Sequence, residues 1–99
     1  MKIFVKLIKS PNKKKKFRVV FEDGNIVDFG ASGYSDYTIH KDEERMKRYL
    51  KRHHARENWS KGGMKTAGFW SRWLLWSEPS LPKAKELIEK KFKIKIRSN

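Results

Sequence analysis

The sequence predicts an α+β fold: a small antiparallel sheet of N-terminal β-hairpins plus a C-terminal strand, with about three helices packed on one face. Three observations carry this. The first third alternates apolar and polar residues between turn signals. The middle and much of the last third recur at helical spacing. From Phe92 onward the alternation returns. The order is β-β-β-α-α-α-β, read as one domain over residues 1–99 with neither an internal repeat nor a separate linker.

Ile3 to Ile8 is rich in branched residues and alternates with Lys2 and Lys6, so it reads as a strand. Ser10-Pro11-Asn12 breaks it, and four lysines follow, Lys13, Lys14, Lys15 and Lys16. Their place between two strands makes them a hairpin tip, open to two readings. They form a solvated, self-repelling loop, or a loop that touches phosphates.

The next hairpin fixes its own register. A two-residue turn at Asp23-Gly24 would set Asp28 against Val19. A three-residue loop, Glu22-Asp23-Gly24, pairs Phe17 with Phe29, Val19 with Val27, Val20 with Ile26 and Arg18 with Asp28. Apolar partners match and the remaining pair carries opposite charges, which cross-strand neighbours favour. Gly24 then takes the left-handed position of a type I turn plus bulge. Phe17, Val19, Val27 and Phe29 are expected to face the helices.

Gly30 to Ile39 is a turn-rich link, long for a plain connection, and such loops often carry function. Its tyrosines, Tyr34 and Tyr37, either stack on bases or plug the edge of the core. Asp42 then begins a helix with Glu43 and Glu44 in its first turn, where the helix dipole favours anions. Met46, Tyr49, Leu50 and His53 mark its apolar stripe. Arg45, Lys47, Arg48, Lys51, Arg52 and Arg56 crowd the remainder, and no acid follows Glu44 until Glu57. A solvated helix usually mixes its signs for i,i+4 pairing, so this face is a candidate for an anionic partner.

Glu57 to Gly63 is a loop anchored by Trp59. Thr66 to Trp76 holds three of the four tryptophans. Read as one helix capped by Thr66, it sets Phe69, Trp73 and Trp76 on one stripe, with Trp70 and Leu74 beside it. A helix so apolar is a core element or is covered by a partner. Trp59, Phe69, Trp70, Trp73 and Trp76 are therefore core or interface anchors. Ser80 caps a last helix with Pro82 in its first turn and Leu81, Ala84, Leu87 and Ile88 as its stripe. Phe92, Ile94 and Ile96 then alternate with Lys93, Lys95 and Arg97 as the final strand.

Charge bounds the function. Lys and Arg number 25 against 11 Asp and Glu, a net charge of +14, which suggests a polyanionic partner. The 13% aromatic content argues against a disordered basic tail. There is no cysteine, hence neither a disulfide framework nor a thiolate metal site. His53 and His54 are adjacent and diverge on a helix, so with His40 they make no zinc site. No apolar run approaches a membrane span, and Met1 to Lys9 lacks a signal-peptide core. A reducing interior is expected, not secretion, and membrane attachment is not.

The chain shows no phosphate-cradling GxxxxGK[ST] or GxGxxG. Asp36 and His40, four apart, could form a base with its orienter, but a third member is missing. Most other acids have local roles in turns and helix starts. The expectation is a protein that is not an enzyme and needs neither a cofactor nor a small-molecule substrate.

The segments FGASGYSDYTIHKDEER and ENWSKGGMKTAGFWSRWLLWSEPSL resemble a family of small proteins recurrent in large double-stranded DNA viruses, notably those of algae. The resemblance spans roughly Phe17 to Ile96. It implies a small, basic, non-enzymatic protein of viral origin, in the virion or the infected cell, and supplies no catalytic residues. It leaves two partners open: nucleic acid met through phosphate-directed Lys and Arg, or acidic capsid subunits on which a minor capsid or cement protein docks.

Overall fold

The computed structural model describes residues 3–98. Lys2, read with the first strand's alternation, lies outside them. Strands β1 (Ile3–Lys9), β2 (Lys15–Phe21) and β3 (Ile26–Ala31) form consecutive hairpins. A fourth strand, β4 (Ile94–Ser98), completes one sheet in the order β3-β2-β1-β4. The helices are α1 (Tyr37–His40), α2 (Glu43–His53), α3 (Ala67–Trp70) and α4 (Leu81–Phe92). The fold is α+β.

The hairpin register is the expected one. Phe17 faces Phe29, Arg18 faces Asp28, Val19 faces Val27 and Val20 faces Ile26. Gly24 holds φ at 92°, the left-handed conformation the loop requires. Arg18 Nε donates to Asp28 at 2.8 Å and Nη2 at 3.0 Å, a bidentate pair.

The sheet is mixed, not wholly antiparallel. β4 runs parallel to β1, with Ile3 beside Ile94 and Val5 beside Ile96. A parallel neighbour needs a long crossover, and α4 returns the chain to the end where β1 starts. Phe92 ends that helix and does not open the strand. Lys93 takes the left-handed cap position, φ 58°, and turns the chain into β4.

The aromatic stretch also departs from one regular helix. Thr66 caps it as expected, its hydroxyl accepting from Phe69 N–H at 3.3 Å. After the single turn of α3 the backbone widens into a π-turn, Ser71–Leu75. Widening shifts the phase of the later side chains. The fully buried set is therefore Phe69, Trp70, Leu74 and Leu75, while Trp73 and Trp76 are half-buried. The former four pack against Val5, Leu7, Val19, Phe21, Val27 and Phe29 of the sheet. Ala84, Ile88 and Phe92 of α4 and Ile94 of β4 close the same core. Trp70 satisfies its indole N–H on the Met64 carbonyl at 2.6 Å.

Helix α1, inside the link read as turns, is short and is capped by Asp36. The Asp36 carboxylate accepts from Thr38 N–H at 2.9 Å and from the Thr38 hydroxyl. Helix α2 starts at Asp42, which accepts from Glu44 N–H at 3.0 Å and Arg45 N–H at 3.3 Å. Of the stripe expected on α2, Tyr49 is buried and Met46, Leu50 and His53 are half-buried.

Candidate nucleic-acid interface

A cleft of about 450 Å³ is lined by α2 on one side and by β2, β3 and the link after β3 on the other. One wall is α2, presenting Arg45, Tyr49, Arg52 and His53. The other holds Lys15 and Lys16 of β2, Gly30 and Ala31 of β3, and Tyr34, Ser35 and Asp36 of the link. Ala67, Gly68, Ser71, Leu75 and Trp76 line the rest, with Glu57.

Local folding puts these groups there. The Ser32 N–H donates to the Lys14 carbonyl at 2.9 Å, which ties the link to the lysine tip. Gly33, with φ at 87°, permits the turn closed by Tyr34 N–H on the Ala31 carbonyl. Tyr34 is left at the rim, 74% exposed. On the opposite wall α2 is held by a row of stacked rings. Tyr49 lies on Trp76 at 4.3 Å with planes 2° apart, and His53 lies on Tyr49 at 4.3 Å. Burial, reinforced by the Glu57 charge, pushes the Tyr49 phenol above its ordinary range.

The charges in the cleft are unequal in their freedom. Asp36 is buried and takes the ammonium of Lys16. Glu57 accepts from the Trp59 indole N–H at 2.9 Å and lies 3.5 Å from His53 Nδ1. Both lining acids are thus engaged. None of the ion pairs among the described residues involves Lys15, Arg45 or Arg52.

The expected patch is therefore divided. Lys15, Arg45 and Arg52 come together at the cleft, although Lys15 and Arg45 are far apart in sequence. Lys13 and Lys14 stand exposed at the adjoining hairpin tip. Lys16 does not join them as a free phosphate contact, because it neutralises Asp36 inside the wall. Lys47, Arg48 and Lys51 are exposed and do not line the cleft, and Lys47 lies 3.4 Å from Glu43. Arg56 is exposed beyond the end of α2.

A family model matches residues 5–53. Its description is a family of unknown function, DUF5754. The chain is similar to that family from β1 to the end of α2, a stretch that holds Lys13 to Lys16, Tyr34 and the arginines of α2 up to Arg52. No curated protein and no solved structure matches the chain.

The two tyrosines of the link separate. Tyr37 is 8% exposed at the core edge, so it cannot stack on a base without moving; Tyr34 can. The aromatic anchors divide as well. Phe69 and Trp70 are inside the core. Trp73 donates its indole N–H to the Trp59 carbonyl at 2.8 Å, and Arg72 lies over both rings, 5.3 Å from Trp59 and 4.2 Å from Trp73. Burial lowers the Arg72 guanidinium pKa from its ordinary value. Asp36 and His40 do not act on each other through their side chains, since His40 Nδ1 accepts from Asp42 N–H at 2.9 Å.

Gly68 and Ser71 were not visible as site residues in the sequence. A Cβ on Gly68 would come within 2.7 Å of the Glu57 carboxyl carbon, so the glycine lets that acid lie against α3. Among the described residues, no three or more His, Cys, Asp or Glu form a group that could hold a metal ion. No helix among them is long and apolar enough to cross a membrane.

Proposed function

We propose that this protein binds nucleic acid through its phosphates, without sequence preference, in the particle or the infected cell of a large DNA virus. The observation that carries the reading is the convergence of Lys15, Arg45 and Arg52 around one cleft, beside the exposed Lys13 and Lys14, with the lining acids already engaged. Lys47, Arg48 and Lys51 continue the positive surface over the outer side of α2. A net charge of +14 supplies the long-range attraction. Contacts to phosphate oxygens set position and affinity while carrying no base information. Docking of a minor capsid protein on acidic shell subunits would use the same charge, but Phe69 and Trp70, expected as anchors, are buried.

The test is binding to duplex DNA of unrelated sequences across a salt series. Affinity should fall linearly on a log–log scale, and Lys15→Gln, Arg45→Gln and Arg52→Gln should each lower the slope by about 1. Binding that ignores salt would refute the reading. Co-sedimentation with shell protein after nuclease treatment, with DNA binding absent, would move this surface to an acidic capsid partner.

A further inference from the structure

We propose that the cleft receives an unstacked base of a single nucleic-acid strand, with Tyr34 as its stacking face and Lys15, Arg45 and Arg52 on the flanking phosphates. This rests on the nucleic-acid reading and adds the kind of strand.

Shape is the first ground. A volume of about 450 Å³ is that of a small-molecule site, and a duplex, its bases paired inside, can touch the cations at the mouth of the cleft without filling it. Tyr34 is the second. It is 74% exposed at the rim of a positively charged cleft, so it contributes little to the core, yet its turn is fixed by Gly33 and by the Ser32–Lys14 hydrogen bond. An exposed aromatic beside a basic groove is the arrangement by which single strands are held, because every base has a face to stack. Charge is the third. The three cations stand on both walls, so a strand entering between them has a phosphate partner on either side. The remaining lining adds the small polar side chains Ser35 and Ser71, which suit any base and select none.

The experiment measures binding of the full chain to oligothymidylate and oligouridylate of about a dozen nucleotides, and to a duplex of equal length. Both single strands should bind more tightly than the duplex, and whichever of the two binds better identifies DNA or RNA as the source. Tyr34→Ala should weaken single-strand binding roughly 5- to 100-fold, the range for loss of one stacked base, and so shrink the single-strand to duplex ratio. Tyr34→Phe should keep the ratio, since stacking needs the ring and not the hydroxyl. Thymidine monophosphate should compete poorly.

A salt-dependent duplex affinity with no single-strand preference, or a ratio unmoved by Tyr34→Ala, would overturn the cleft assignment and leave the phosphate-binding reading standing. Thymidine monophosphate binding as tightly as the strand would overturn it in favour of a free nucleotide. Failure of every nucleic acid to bind would overturn both.

Discussion

The aromatic layer between the sheet and α4 and the helix α2 are built on opposite plans. In the first, Phe69, Trp70, Leu74 and Leu75 share one core with side chains from all four strands and α4, and all are buried. Its rings meet edge-on and tilted, Phe69 on Trp70 at 5.4 Å and Phe29 against Trp70 at 6.2 Å. In the second, an eleven-residue helix buries Tyr49 alone and turns five arginines and lysines to solvent. The core can be dense because its side chains are apolar and uncharged. α2 can be strongly basic because it is attached through one stacked row, His53–Tyr49–Trp76, and through the Asp42 N–H that donates to His40 Nδ1 of α1. Stability and charge are thus assigned to different parts of a short chain.

Mutations can break this division at graded levels. The largest effect is expected from Trp70→Ala, which empties the centre of the core. It should cost about 3–5 kcal/mol, enough to unfold a domain of ordinary stability or lower its melting point by more than about 10 °C. Calorimetry checks it, and an unchanged melting point would remove the aromatic layer from its central role.

Tyr49→Ala comes next and should act locally. The lost ring stack is worth about 0.5–1.5 kcal/mol beyond the buried area. Hydrogen exchange should show protection lost over Glu43–His53 and kept in β1, β2 and β3. Equal loss everywhere would mean that α2 is part of the core unit.

A smaller effect is expected in the hairpin. Arg18→Asp should lower the melting point, and adding Asp28→Arg should recover most of it, because the pair lies directly across two strands. A double exchange no better than the single change would contradict the register.

The smallest is a pH effect. The Lys65 ammonium, followed by the Asn25 backbone N–H, holds the Asp23 carboxyl at about 2. The Arg18 guanidinium likewise holds Asp28 below its ordinary value. A depressed carboxyl stabilises the fold above its unfolded pKa of about 4 and loses that contribution as pH falls towards 2. Replacing Asp23 by Asn should remove that part of the pH dependence, lowering the melting point slightly above about pH 4 and leaving it unchanged near pH 2.

Much of this was legible in the sequence, and the rest failed for identifiable reasons. The register of β2 and β3 was legible because only one loop length pairs all the apolar residues. Asp42, Thr66 and Ser80 were legible as caps because capping is chemistry within a few residues. The π-turn was not, since nothing in SRWLL distinguishes a wide turn from a regular one; packing on the sheet selects it. The parallel pairing of β4 depends on where α4 delivers the chain, a tertiary fact.

For the site, residue types were legible and grouping was not. Lys13 to Lys16 looked uniform, but Lys16 is drawn inward by an acid twenty positions away. The stripe of α2 was read from apolar residues alone. Tyr49 and His53 belong to it, but Arg45 and Arg52 share the cleft side, because long arginine stems lie along a wall with their charges in water.

On the nucleic-acid proposal, the basic surface of α2 serves binding and not folding. The most direct measurement pairs melting with duplex binding in one variant, Lys47, Arg48, Lys51 and Arg52 all changed to Gln. Its melting point should lie within about 4 °C of the parent, because exposed charges contribute little, while its binding weakens and its salt slope becomes shallower. A folded variant that binds as tightly as the parent with the same slope, or a variant that no longer folds, would contradict it.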